Sequence, residues 1–93
     1  MIIGVCTIEL GIPAASLKDK RQIIKSVIAR LRNKFNISVA EVDYLDTWHI
    51  GVIAAVAVSN DRDYVHSLMT RVARWVEESR LDCELIDYEI ELI

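Results

Sequence analysis

The spacing of hydrophobic and polar residues along the chain predicts four β-strands. The first is the β-branched segment 2–10, which ends at the breaker cluster Gly11-Ile12-Pro13. The second, residues 37–43, alternates loosely, and the third, residues 48–58, is apolar on both sides, as in a central strand. The fourth covers residues 83–92. It places Ile86, Tyr88, Ile90 and Leu92 on one side and Asp87, Glu89 and Glu91 on the other.

Two further segments repeat their apolar residues at three- and four-residue steps, which predicts amphipathic helices. Ser16 stands three residues before Asp19 and is the predicted N-cap of the first helix, with Asn36 at its end. The second helix opens with Asn60 as the predicted N-cap and ends near Ser79-Arg80. The buried stripes are Ile24, Val27, Ile28, Leu31 and Phe35 in the first helix and Val65, Leu68, Met69, Val72 and Val76 in the second.

The resulting order, β-α-β-β-α-β, is typical of a ferredoxin-like split β-α-β sandwich, an α+β fold. Right-handed crossovers place the first and third strands in the centre of a four-stranded antiparallel sheet, with both helices on one face. The chain of 93 residues is long enough for one hydrophobic core, which predicts a single domain over residues 1–93.

The sheet face away from the helices is expected to carry an apolar patch, because both sides of the first and third strands are largely apolar. Trp48, Ile50, Val52, Val56 and Val58 share one side of the third strand, and Ile53, Ala55 and Ala57 share the other. A monomer rarely exposes such a patch. Two interpretations are open: a homodimer packed through the sheet face, or a monomer in which long side chains and the carboxyl terminus shield the patch.

The composition of the chain indicates the cellular compartment in which the protein is expected. The chain is 53% hydrophobic and 27% charged, as in a globular protein, and its longest apolar run is far short of the ~20 residues that cross a bilayer. No basic stretch precedes the apolar residues at the amino terminus, which argues against a signal peptide. Cys6 and Cys83 are too few for a disulfide framework. We therefore expect a cytoplasmic protein without membrane association.

Charge is separated along the chain. Residues 17–34 carry a charge of +6, whereas the rest of the chain carries −9. On the helix, Lys18, Arg21, Lys25 and Arg32 return to nearly the same angle. Such a stripe can neutralise RNA phosphates or contact an acidic protein surface, and a solvated helix face is the structural alternative. The candidate RNA- or partner-binding residues are Lys18, Lys20, Arg21, Lys25 and Arg32.

Residues that known functions of this fold require are missing. The third strand offers no aromatic pair for the base stacking of an RNA-recognition motif, and no Cys-x-x-Cys loop of a metal chaperone occurs. The loop after the first strand lacks the arginine of an acylphosphatase-like enzyme, and His49 and His66 lack metal-ligand spacing. Trp48 is expected to anchor the second turn, with ligand binding as the alternative. We expect no catalytic residue, no metal and no cofactor.

Three segments carry a family resemblance: Ser16-Leu17-Lys18-Asp19-Lys20-Arg21, residues 30–42, and Asp46-Thr47-Trp48. Together they resemble the YlxP-like family of small bacterial proteins, catalogued as a domain of unknown function, over essentially the whole chain. The resemblance implies a ferredoxin-like fold and no established catalytic activity. Members are often encoded beside translation initiation factor two and ribosome-binding factor A, which implies a role near ribosome maturation or translation.

Two hypotheses of function follow from these observations. The leading one is a non-enzymatic binding protein whose basic first helix contacts RNA or a ribosomal subunit. The alternative is a dimeric protein-interaction or small-ligand-sensing module that acts through its sheet face.

Overall fold

Four strands and two helices follow one another in the predicted order. The structure is a computed structural model and describes residues 1–79 and 82–93. The elements are β1 (Ile2–Gly11), α1 (Leu17–Lys34), β2 (Ser38–Asp43), β3 (Ile50–Ser59), α2 (Arg62–Glu78) and β4 (Glu84–Leu92).

The strands form one antiparallel sheet in the order β2-β3-β1-β4, so β1 and β3 lie in the centre as predicted. These two strands pair along their whole length, from Ile2 opposite Ser59 to Gly11 opposite Ile50. The edge strands β2 and β4 pair with β3 and β1, respectively. This α+β arrangement is ferredoxin-like and confirms the predicted fold.

Both helices pack on the same face of the sheet and share one core with it. The inward residues Cys6, Ile8 and Ile53 are fully buried, and Ile24 and Val65 reach the same cluster from α1 and α2. Gly4 sets the distance between β1 and α2. A Cβ at Gly4 would overlap Cγ1 of Val65, so only glycine permits this close approach. Neither helix of the described residues has the length and apolar composition of a membrane span.

The start of α1 agrees with the sequence. Ser16 Oγ accepts a hydrogen bond from the Asp19 N–H at 3.1 Å, and Asp19 Oδ2 accepts one from the Ala15 N–H at 3.0 Å. The two side chains thus satisfy backbone donors in both directions, in a variant of the capping box. The helix ends at Lys34, and the chain leaves it in extended conformation at Phe35, one residue before the predicted stop.

The N-cap of α2 is Asp61, and the prediction of Asn60 is wrong. Asp61 Oδ1 accepts a hydrogen bond from the Tyr64 N–H at 3.1 Å. Since the helix begins at Arg62, only the residue directly before it can reach that donor, and a carboxylate also suits the positive end of the helix dipole. At the other end Ser79 is the C-cap, near the predicted end, and Arg80 lies outside the described residues.

Two strands differ in detail from the prediction. Ladder pairing of β3 begins at Ile50, so Trp48 belongs to the preceding loop. In β4 the register shifts: Asp87 lies opposite Glu9, but Leu85 lies opposite Leu10. This bulge leaves Ile86 unpaired and 49% exposed, and it brings Leu85 instead to the helix side.

Candidate functional site

The basic side chains of α1 lie mainly on the surface. The exposed ones are Lys18, Arg21, Lys25, Arg30, Arg32 and Lys34. Three of them, Lys18, Arg21 and Lys25, line a groove of about 480 Å³ between α1 and the edge strand β2. Gln22, Ile24, Ile28 and Glu41 complete this α1–β2 groove. Three cations predicted from the helical period therefore face one concave surface.

Lys20 is the exception among the predicted binding residues. Its side chain is 0% exposed, and Nζ lies 2.9 Å from Glu41 Oε2 on β2, an ion pair without the angle of a directed hydrogen bond. Lys20 Nζ also donates a hydrogen bond to the carbonyl of Tyr44. A Cβ on Gly51 would lie 3.2 Å from Ile24 Cδ1 and 3.4 Å from Lys20 Cε, so the lysine stem packs closely over this glycine. The prediction that Lys20 contacts RNA or a partner is wrong, because the side chain is fully buried.

Arg32 lies beyond the groove, toward the end of α1. Its Nη2 donates a hydrogen bond of 2.9 Å to the carbonyl of Val39 on β2. Because β2 is an edge strand, this bond occupies a backbone acceptor that would otherwise attract another strand. Arg32 is exposed, and its hydrogen bond joins the end of α1 to β2.

Residues 44–49, between β2 and β3, form a loop with two exposed aromatic side chains, which we call the aromatic loop. Tyr44 is 44% exposed and Trp48 is 46% exposed. Tyr44 has a φ of 56°, in the left-handed region that a bulky residue rarely adopts. Its carbonyl accepts from Lys20 Nζ and, at 3.2 Å, from the Thr47 N–H. The buried lysine therefore fixes a strained backbone conformation.

Further contacts fasten the aromatic loop beside the start of α1. The Ile12 N–H donates to the His49 carbonyl at 2.9 Å, and His49 Nδ1 lies 3.4 Å from the Ile12 carbonyl. Asp46 Oδ1 lies 3.8 Å from Arg21 Nη2, an exposed pair of small energetic weight. Trp48, predicted mainly as a turn anchor, packs its half-exposed ring edge-on against the ring of His49. The Arg21–Asp46 pair therefore brings the aromatic loop next to the groove.

The cysteines do not contribute a reactive group to this surface. Burial raises the pKa of the Cys6 thiol to about 11, and burial together with the Asp82 carboxylate raises the pKa of Cys83. Cys6 lies opposite Ile90, whereas Cys83 precedes β4 at the other end of the ladder, so the two thiols do not meet. Within residues 1–79 and 82–93, no group of three or more His, Cys, Asp or Glu side chains is placed to hold a metal ion.

The structure thus defines a small ferredoxin-like protein with a basic groove and an adjoining aromatic loop. The chain belongs to the family described as "Protein of unknown function (DUF503)", whose model matches residues 3–90. It is similar to the "Uncharacterized protein YlxP" of Bacillus subtilis (strain 168), with 38% identity over 64 residues. That match covers 69% of this chain and 70% of the relative. The resemblance to the YlxP-like family is confirmed.

Proposed function

We propose that this protein binds RNA, free or within a ribosomal subunit, through the α1–β2 groove and the aromatic loop, without catalysing a reaction. The observation that carries the proposal is the placement of Lys18, Arg21 and Lys25 in one groove, next to a loop that bears two exposed aromatic rings. The Lys20–Tyr44 hydrogen bond and the Arg21–Asp46 pair join that loop to α1. Cations that follow a phosphate backbone, combined with aromatic rings for bases, are the two components of single-strand recognition.

The cations supply salt-sensitive affinity. Each neutralised phosphate of a single strand contributes about −0.7 to the slope of log K against log salt, so three contacts predict a slope of about −2. A fourfold rise in salt concentration then weakens binding about 20-fold. The net charge of the chain is −3, which repels RNA at long range. Binding must therefore be local to the groove rather than a property of the whole surface.

The aromatic loop supplies a preference for unpaired bases. The faces of bases in a duplex are covered by their neighbours, whereas bases of loops and single strands are free to stack on Trp48 or Tyr44. One stacked base contributes about 1–3 kcal/mol by alanine substitution. Because Lys20 and Ile12 hold the loop in place, its rings lose little further freedom on binding. The proposed ligand is therefore single-stranded RNA or an exposed loop of a folded RNA.

The implied connection of the YlxP-like family with translation agrees with this ligand class. Ribosomal RNA contains many loops and unpaired ends, the parts of RNA that proteins read most readily. A small domain with one groove and one stacking loop has a surface of the size needed for a few nucleotides. We therefore place the contact on a ribosomal subunit or its precursor.

Co-sedimentation with purified ribosomal subunits tests the proposal. The groove variant Lys18→Glu, Arg21→Glu, Lys25→Glu should stay in the supernatant at a salt concentration at which the wild-type chain pellets. The matched control is Arg62→Glu, Arg71→Glu, Arg74→Glu, which makes the same charge change on exposed positions of α2. It should pellet like the wild type. Equal loss in both variants would show an effect of net charge alone and contradict a role of the groove.

A further inference from the structure

The sheet face opposite the helices, here called the open face, is apolar along its centre. Its residues alternate with the buried positions Cys6, Ile8, Ile53 and Ala55 and therefore point away from the core. Among them, Val58 is 61% exposed and the others are partly exposed. They are Ile3 and Val5 of β1 and Ile50, Val52, Ala54, Val56 and Val58 of β3.

Carboxylates border this apolar strip on β4 and β2, and Glu9 of the central strand β1 stands within it, opposite Val52. Glu9 lies opposite Asp87 across the β1–β4 ladder, and Glu89 and Glu91 follow on the same side of β4. On the far edge, Asp43 of β2 lies opposite Val52. The four strands, all within the part of the chain that the structure describes, contain no Lys, Arg or His. The strands of the open face therefore offer negative charge around an apolar strip and no cation.

This charge pattern argues against a second copy as the occupant. A symmetric pair packed through the open face would bring carboxylates of one copy over a surface whose strands supply only further carboxylates. Each close like-charge contact costs about 1 kcal/mol even in water and more when partly desolvated. The homodimer through the sheet face stays a prediction, and the electrostatics favour a partner of opposite charge.

We propose that the open face binds an amphipathic helix of another protein, with an apolar stripe flanked by lysine or arginine. Strands about 4.8 Å apart make the two central strands and their neighbours wide enough to seat a helix of about 10 Å diameter. The ten residues of β1 span about 33 Å, which accommodates a helix of about 20 residues. Apolar side chains of the helix would cover Val52 and Val56. Its cations would reach the carboxylates of Asp87, Glu89 and Glu91 on β4, here called the rim.

This proposal is independent of RNA binding, because the open face and the α1–β2 groove use different residues. Its probe is a synthetic 18-residue helix with a leucine stripe flanked by lysines. A peptide of the same composition, scrambled so that the leucines no longer form a stripe, is the control for charge alone. Amide shifts in NMR spectra should change in β1, β3 and β4, and the scrambled peptide should bind at least tenfold more weakly.

Two matched variants test the rim. The rim variant, Asp87→Asn, Glu89→Gln, Glu91→Gln, should bind the leucine-stripe peptide at least tenfold more weakly than the wild type. The control variant on α2, Asp63→Asn, Glu77→Gln, Glu78→Gln, should change the affinity for this peptide less than twofold. All six positions are exposed, so both variants are expected to fold, and circular dichroism checks this. Equal weakening by both variants, or equal binding of both peptides, would overturn the proposal. A dimer in sedimentation equilibrium that the rim variant strengthens would assign the face to a second copy and likewise overturn it.

Discussion

Replacing Glu41 by glutamine removes one charge from the ion pair beneath α1. The Lys20 side chain is 0% exposed and that of Glu41 is 15% exposed, so the remaining ammonium is left in the interior with the Tyr44 carbonyl. Removing one member of a buried pair costs about 3–5 kcal/mol. A domain of this size is stable by about 5–15 kcal/mol, so Glu41→Gln should lower the urea midpoint of unfolding by about a fifth or more.

A double-mutant cycle separates the pair from its surroundings. Lys20→Met should cost less than Glu41→Gln, because the Glu41 carboxylate keeps some access to water. The double variant Lys20→Met, Glu41→Gln leaves no buried charge without a partner and is expected to recover much of the stability that Glu41→Gln loses. This double variant should fold, but it lacks the hydrogen bond from Lys20 to the Tyr44 carbonyl that holds the aromatic loop. It should therefore bind RNA more weakly than the wild type.

Urea unfolding followed by circular dichroism measures all four corners of the cycle. The coupling energy between positions 20 and 41 should be at least about 2 kcal/mol. A cost below about 1 kcal/mol for Glu41→Gln, the value of an exposed pair, would refute the claim that this charge is buried and structural.

Three further predictions follow from other parts of the molecule. Gly4→Ala places a methyl group against Val65 and should destabilise the chain by about 1–3 kcal/mol in urea; an unchanged midpoint would contradict the close approach of β1 and α2. The raised pKa of Cys6, about 11 against an ordinary 9.0, means that the unfolded chain releases this proton at a lower pH than the folded chain. The free energy of unfolding should therefore fall as the pH rises from 9.0 to about 11, whereas Cys6→Ala should show a smaller fall; parallel profiles would contradict it. Trp48→Ala should weaken the binding of a single-stranded RNA oligonucleotide by about 1–3 kcal/mol, measured by fluorescence anisotropy, and leave the binding of an RNA duplex unchanged. Equal loss for both RNAs would exclude stacking, and Trp75→Phe is the control at a partly buried ring.

Local patterns in the sequence predict most of this fold. Alternation and helical period find all six elements, and the breaker cluster Gly11-Ile12-Pro13 marks the end of β1. Right-handed crossovers then suffice to order the strands. The common face of the groove cations Lys18, Arg21 and Lys25 could also be predicted, since a helical wheel shows which side chains share one face.

The predictions that were wrong concern features that depend on contacts between distant segments of the chain. The bulge in β4 is a property of its pairing with β1, so strict alternation assigns Ile86 to the side that Leu85 occupies. The burial of Lys20 depends on Glu41, which lies on another element. One signal was present: Lys20 is in phase with Ile24, Val27 and Leu31, the buried stripe of α1. A lysine at such a position needs a buried partner.

The position of the aromatic loop could not be predicted from the sequence for a related reason. Trp48 continues the apolar run of β3 in the sequence, whereas the ladder with β1 begins only at Ile50 and is extended by one bond from the Ile12 N–H to the His49 carbonyl. The exposure of Tyr44 and its left-handed backbone likewise follow from the bond to Lys20, 24 residues away.

The salt dependence of single-stranded RNA binding tests the central claim most directly. Affinity of a labelled uridine oligonucleotide is measured at several salt concentrations for the wild type, the groove variant and the α2 control variant. We expect a slope of log K against log salt of about −2 for the wild type and the control, matching three phosphate contacts. The groove variant, without Lys18, Arg21 and Lys25, should show no measurable binding at any salt concentration. A groove variant with the wild-type affinity and slope would place the RNA elsewhere and contradict the account.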